Sequence, residues 1–213
     1  MKKVQDHYFK KAKKEGYPAR SVYKLEEAQN KHNFLKKGDR VLDLGCQPGS
    51  WSLYLAKIVG PAGLVVGVDL QRGKGLSAAG GAPIRILAAD IMAEETVAAV
   101  AQACQNYSAV VSDMAPRTTG NKWADQQHSL DLARRALELA GLLLQSGGSF
   151  YCKVFEGEDF REYVEEVRGL FTRVKIVKPL SSRRESREVF VLGLDFRGAG
   201  PALPDRRNSA DIK

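Results

Sequence analysis

RVLDLGCQPGSW, residues 40–51, is the stretch on which the fold turns. The apolar run Arg40–Leu44 has the length and composition of a strand covered on both faces. It passes into a loop containing Gly45 and Gly49, and then into the helical pattern SLYLAKIVG at 52–60. In open α/β sheets, ligands bind beyond the carboxyl ends of the strands, and this is the first strand-to-helix turn of such a sheet. Glycine lets the backbone approach a ligand closely, and the helix that follows presents free N–H groups. The loop is not G-x-G-x-x-G: it has one glycine fewer, and Pro48 stands in its middle. That argues against a pyrophosphate cradle. Gly45 and Gly49, with Pro48 between them, line the candidate cofactor site.

Working outward, two further strands, GLVVGVDL at 63–70 and IRILAAD at 84–90, end in Asp69 and Asp90. In dinucleotide-binding sheets a carboxylate about 20 residues past the glycine loop accepts hydrogen bonds from ribose hydroxyls. The same geometry serves any adenosine-containing cofactor, and Asp90 is placed to hold the adenine edge. A single Asp at a strand end is more often a turn residue. Three consecutive strands ending in a glycine loop, an Asp and an Asp point instead to adenosine binding.

The rest of the chain continues the alternation. The β-like runs are Arg40–Leu44, Leu64–Leu70, Ile84–Ala88, Ala109–Ser112, Ser149–Phe155, Val174–Val177 and Val189–Phe196. Helical periodicity appears in Gln127–Leu144 and Glu158–Phe171, with Gly147-Gly148 marking a helix stop. Such alternation predicts an α/β domain with a mostly parallel sheet and helices on both faces. Only Pro179 to Arg187 separates the last two strands, so they are expected to form an antiparallel hairpin at one end of the sheet. The expected organisation is a basic helical segment over 1–38, the main domain over 39–196 and a disordered Gly- and Pro-rich tail over 197–213.

At 213 residues and 44% hydrophobic, the chain suits one compact domain. No apolar run approaches the roughly 20 residues needed to span a bilayer, and the N-terminus has no apolar signal core. A cytoplasmic protein is expected, with no membrane partner. Cys46, Cys104 and Cys152 lack C-x-x-C spacing and read as reduced, buried thiols. His7, His32 and His128 are scattered without ligand spacing, so no metal is expected. Net charge is +8, and its distribution is uneven. Residues 1–40 hold 12 Lys or Arg against 5 Asp or Glu, whereas the remaining 173 hold 21 against 20. A polyanion is the natural partner of such a segment, although a solvated or membrane-surface helix has the same composition.

The loop D-L-G-C-Q-P-G-S-W resembles that of the FtsJ (RrmJ, RlmE-type) family of ribosomal RNA 2′-O-ribose methyltransferases. ARSVYKLEE at 19–27, SDMAP at 112–116, GGSFYCKVFEGE at 147–158 and SSRRESREVFVLG at 181–193 extend the resemblance, colinearly, over residues 5 to 196. It implies the Rossmann-like methyltransferase sheet of seven strands with the last inserted antiparallel. It implies S-adenosyl-L-methionine as cofactor, contacted by Gly49, Trp51, Asp69, Asp90 and Asp113. It also implies a catalytic set of Lys24, Asp113, Lys153 and Glu188. The expected reaction is transfer of a methyl group to a ribose 2′-hydroxyl of RNA, by a monomer acting on a uridine of 23S ribosomal RNA in the large subunit. Where many members have A-A-P-G-G-W, this chain has C-Q-P-G-S-W, so Cys46, Gln47 and Ser50 are expected to bear on affinity.

The methyl donor is already activated, so the enzyme has to align a hydroxyl and remove its proton. A free lysine, with a pKa of about 10.4, serves as a base only if that value falls towards roughly 7–8. Burial of Lys153 and a second ammonium from Lys24 push in that direction, and Lys24 also suits a developing oxyanion. Asp113 and Glu188 would hold the two lysines. Taken singly, each of these residues has an ordinary reading as surface lysine, turn aspartate or ion-pair partner. For RNA, Lys10, Lys13 and Arg20 interleave with Tyr8, Phe9, Tyr17 and Tyr23 in two short helices, Asp6–Glu15 and Arg20–Asn30. A second basic group, Arg183, Arg184 and Arg187, surrounds Glu188. Basic residues grip phosphates and exposed aromatics stack on bases, or the aromatics anchor these helices on the sheet. Alternatives are a transfer RNA or messenger RNA cap substrate, a nicotinamide-dependent oxidoreductase, or an RNA-binding protein that keeps the fold without catalysis.

Overall fold

The computed structural model describes residues 2–73, 75–183 and 185–198. Two helices, α1 (Lys2–Lys14) and α2 (Val22–His32), precede the sheet. Then follow β1 (Arg40–Leu44), α3 (Ser50–Val59), β2 (Leu64–Asp69), β3 (Ile84–Ala88), α4 (Glu95–Ala103), β4 (Tyr107–Ser112), α5 (Lys122–Leu143), β5 (Leu144–Phe155), α6 (Phe160–Leu170), β6 (Phe171–Val177) and β7 (Glu188–Phe196). The sheet has seven strands in the order β3-β2-β1-β4-β5-β7-β6. Strands β3 to β5 run parallel, and β7 is antiparallel to both β5 and β6. The hairpin expected from the short Pro179–Arg187 connection is present, with β7 inserted between β5 and β6.

Strand order reverses between β1 and β4, which is where a crevice opens beyond the carboxyl ends of an α/β sheet. Near-continuous apolar strands such as Val41–Leu44 and Val189–Leu194 are buried because helices cover both faces. On one face α5 and α6 pack Leu130, Leu137, Leu139, Tyr163 and Val167 against Val110, Phe150 and Val191. On the other face α2 and α3 pack Val22, Leu25, Trp51 and Leu55 against Val65, Val111, Tyr151 and Phe190. Each such aliphatic or aromatic side chain contributes about 1.5–3 kcal/mol on burial. The basic N-terminal segment is therefore docked on the sheet, with Tyr23 1% exposed and its hydroxyl bonded to Glu15.

Helix α5 begins at Lys122 rather than Gln127, because the Asn121 side chain accepts the Trp123 and Ala124 N–H groups and caps it. Helix α4 has no distinct apolar stripe, burying only Thr96 and Val100. Strand β5 starts at Leu144, with the Gly147-Gly148 pair inside it as an irregularity in pairing and Gly147 at φ +78°. Helices α1 and α2 lie two to four residues from their expected bounds at some ends, running Lys2–Lys14 and Val22–His32. Of the tail expected over 197–213, residues 199–213 lie outside the described residues, as does Arg184.

Candidate active site

Gly45 and Gly49 take φ of +74° and +104°, where side chains are disfavoured. A Cβ on Gly45 would come 2.5 Å from Met114 Cγ, and one on Gly49 would come 2.5 Å from Leu76 Cδ1. The loop is thus pressed between the segment leaving β4 and the connection after β2. Its unusual residues are accommodated locally. Cys46 fills the space left by Gly67, where a Cβ would meet its Sγ at 2.8 Å. The buried Ser50 hydroxyl accepts the Ala19 N–H at 2.7 Å, tying the start of α3 to the chain ahead of α2. Cys46, Cys104 and Cys152 are free and buried, and burial pushes each thiol pKa up.

Asp69 accepts the Gln47 N–H at 3.1 Å and the Gln71 N–H at 2.9 Å, one on each carboxylate oxygen. It is half-buried, and each oxygen keeps a lone pair for a further donor. Asp90 is exposed, and its carboxylate accepts the Met92 N–H at 2.9 Å. The side chains that follow these carboxylates, Leu70 and Met92, are exposed apolar groups suited to the faces of a planar ring. Gln47 Nε2 is buried with no partner among the described residues. Positive-φ glycines, two available carboxylates, apolar neighbours and an unsatisfied donor fit an adenosine-containing cofactor. Pro48 is exposed on the rim of the same loop. Trp51 departs from expectation. Its indole is 3% exposed, donates to the Ser21 carbonyl at 2.8 Å and stacks on Tyr151, so it anchors α2 to the sheet. Its side chain is committed to packing.

The structure brings Lys24, Asp113, Lys153 and Glu188 together. Lys153, on β5, donates to the Asp113 carbonyl at 2.6 Å and to its carboxylate at 2.9 Å. Lys24, on α2, reaches the same carboxylate at 3.3 Å and Glu188 at 2.7 Å. Lys153 and Glu188 lie 3.8 Å apart. Ser182 donates to the other Glu188 oxygen at 2.7 Å, and Lys178 donates to the Glu188 carbonyl at 2.5 Å. Tyr151 bonds the Lys24 carbonyl at 3.1 Å, and Phe190 lies beneath the Lys24 ammonium. Of these groups Lys24, Lys153, Ser182 and Glu188 line a cavity of about 230 Å³ with Arg20, Ala115 and Arg183. Two ammoniums and two carboxylates taken largely out of water are weak contributors to stability, which makes the cluster a candidate site.

Two residues went unread in the sequence. Asp43 is a carboxylate inside the apolar strand RVLDL; it is 1% exposed and accepts the Ser52 hydroxyl at 2.6 Å. Its position in an otherwise apolar run was a usable signal. Glu27 accepts the Leu180 N–H at 2.6 Å and the Ser181 N–H at 3.0 Å, clamping the β6–β7 loop to α2. Arg20 joins that clamp through the Ser181 carbonyl at 3.2 Å. Lys10, Lys13 and Arg183 are exposed, whereas Arg187 is half-buried and donates to the Lys122 carbonyl at 2.8 Å.

The FtsJ-like methyltransferase family profile matches residues 17–196, from the turn before α2 to the end of β7. The chain belongs to this family. Ribosomal RNA large subunit methyltransferase E of Desulfotalea psychrophila is 51% identical over 92% of this chain and 98% of its own length. The protein of that name from Oleidesulfovibrio alaskensis is 48% identical over 93% and 95%. Among solved structures, a ribosomal RNA methyltransferase from Plasmodium falciparum superposes with a TM-score of 0.74 at 24% identity, over 85% of this chain and all of that one. Aeropyrum pernix fibrillarin, solved with natively bound S-adenosyl-L-methionine, gives 0.58 at 17% identity, over 82% of this chain and 76% of its own. Both share the fold.

Proposed function

We propose that the protein transfers the methyl group of S-adenosylmethionine to a ribose 2′-hydroxyl of large-subunit ribosomal RNA, at a uridine, with Lys153 as general base. The observation that carries this reading is the ion-paired set Lys24, Asp113, Lys153 and Glu188, of which Lys24, Lys153 and Glu188 line a cavity. Gly45, Gly49, Asp69 and Asp90 would hold the cofactor, with Gly49 and Pro48 shaping the loop. The bound cofactor supplies an activated methyl group. The remaining work falls to the protein. Lys153 takes the proton from the 2′-oxygen as the oxygen attacks. Asp113 fixes the Lys153 amine through its carbonyl and carboxylate. Lys24, held by Glu188, faces the negative charge that grows on the oxygen.

The names of the closely similar bacterial relatives support a large-subunit RNA substrate. In this reading the segment over 1–38 contacts RNA through Lys10, Lys13 and Arg20, together with Arg183, Arg184 and Arg187 of the second basic group. One chain supplies all four active-site residues, which suits a monomer working in the cytoplasm where ribosomes assemble.

The test is methyl transfer from labelled S-adenosylmethionine to large ribosomal subunits, their RNA and bulk transfer RNA, with the product mapped for 2′-O-methyl nucleotides. Lys153→Ala and Lys153→Arg should each lower the rate by roughly 10²–10⁴-fold, the usual contribution of a general base, while cofactor binding persists. Arginine keeps the charge but cannot take the proton. Near-normal activity of Lys153→Arg would remove the base assignment. Labelling of transfer RNA alone would replace the substrate.

A further inference from the structure

Trp123 is an exposed aromatic on an unusually well-braced seat. Its relative exposure is 64%, on the first turn of α5. Isolated apolar side chains on surfaces are ordinary, so exposure alone says little. The surroundings add two things. The turn is rigid: the Asn121 side chain accepts the Trp123 and Ala124 N–H groups at 3.1 and 3.2 Å. Buried Asp125 accepts the Thr119 N–H and hydroxyl at 2.7 and 2.9 Å and the Gly120 N–H at 3.2 Å. The turn is also joined to the active site. Arg187, the residue before Glu188, donates to the Lys122 carbonyl next to Trp123 at 2.8 Å. At the other end of the segment, Ala115 lines the active-site cavity.

Between Met114 and Ala124 the chain carries Arg117 and Lys122 and no acidic residue. Both basic side chains are exposed. A braced aromatic face beside two exposed basic side chains, with the nearby Asp125 carboxylate buried and turned onto Thr119 and Gly120, is complementary to an unpaired nucleotide, whose base stacks while its phosphate meets the cations. A rigid aromatic loses little conformational entropy on contact.

We propose that Trp123 is an RNA-binding residue that stacks on an unpaired base flanking the methylated nucleotide. The proposal rests on the RNA reading above and names where the substrate strand is gripped. Arg187 holds the platform in fixed relation to Glu188, so a base on Trp123 sets which ribose reaches Lys153.

The chain has two tryptophans, and Trp51 is buried in the core. A fluorescence change on adding RNA therefore reports mainly on Trp123. The experiment titrates wild type, Trp123→Phe, Trp123→Leu and Trp123→Ala with a single-stranded oligoribonucleotide of mixed sequence and with large-subunit RNA, and measures methyl transfer in parallel. Wild type should be quenched by both RNAs. Trp123→Ala and Trp123→Leu should bind about tenfold more weakly or worse, with KM for RNA rising and kcat little changed. Trp123→Phe should recover most of the affinity while losing the quench. RNA binding and turnover that are unchanged in Trp123→Ala would overturn the stacking role and leave the proposed reaction standing. Failure of wild type to bind any RNA would overturn this proposal together with the RNA substrate.

Discussion

Asp43 lies on β1 with its carboxylate wholly buried against the Ser52 hydroxyl. Burial pushes its pKa up to about 7; the charges of Asp113 and Asp69 add to the rise, and the Ser52 bond opposes it. The unfolded chain releases this proton near pH 4, whereas the native protein keeps it to about pH 7. Between those values the native state binds more protons, so this group's contribution to stability falls as pH rises through the window. Asp43→Asn removes the titration and keeps a side-chain oxygen for Ser52. Urea unfolding at about pH 5 and about pH 8 should show wild type losing more stability than the variant, by something on the order of 2 kcal/mol. Parallel losses in the two proteins would show that Asp43 does not titrate across this range. At this scale the sequence was informative where a residue stood inside a motif. Lys24, Asp113, Lys153 and Glu188, drawn from four separate segments, meet within hydrogen-bonding reach. For Trp51 a loop motif does not reveal which way an indole points, and this one turns into the core.

Helix α2 and the loop between β6 and β7 meet through Glu27 and Arg20, both of which bond backbone groups of the loop. Lys24 is on that helix, and Ser182 and Glu188 are on or beside that loop. The 2.7 Å contact between Lys24 and Glu188 therefore depends on how the two elements are clamped together. Glu27→Ala leaves two loop N–H groups without their acceptor, while Glu27→Gln keeps one oxygen for them. We expect Glu27→Ala to reduce kcat about tenfold or more with little change in the affinity for cofactor, and Glu27→Gln to recover part of that loss. Steady-state kinetics with cofactor titration would check this; a uniform loss of stability with unchanged kcat would show that the clamp only packs the helix. Elements with strong apolar periodicity, such as β1, β2, α5 and α6, could be recognised from the sequence. Helix α4 could not, since Ala-rich AVAQA has no stripe, and the first turns of α5 depend on an Asn cap rather than on hydrophobic spacing. The Glu27 clamp joins residues 153 positions apart and leaves no local pattern to read.

Across the whole molecule the excess positive charge resides in residues 1–40, ahead of nearly the entire sheet. The structure divides that segment by role. Tyr23 is buried with Lys11 over its ring, and Tyr8 and Tyr17 are half-buried, so most of the aromatics anchor the helices. Phe9, 60% exposed, does not share that role. Lys10 and Lys13 are exposed and form no ion pair among the described residues, whereas Lys11 is engaged by Glu15 and Glu26. Composition alone could not make this separation, because burial decides which residues of a mixed helix face the solvent. If Lys10 and Lys13 each neutralise a phosphate, binding of RNA releases counterions at both positions, and affinity falls with salt accordingly. Lys10→Glu with Lys13→Glu should then weaken RNA binding at low salt and make the slope of log affinity against log salt shallower by about two phosphate contacts. Cofactor affinity should stay the same, because the two changes fall on exposed side chains of α1 and leave the Gly45–Gly49 loop unaltered. A Lys11→Gln variant is the internal control. It breaks two ion pairs within the protein, so it should change thermal stability slightly and leave the salt slope alone. If the double variant keeps the wild-type slope, the positive charge of α1 serves solubility, and the phosphate contacts lie entirely on the side of Arg183 and Arg187.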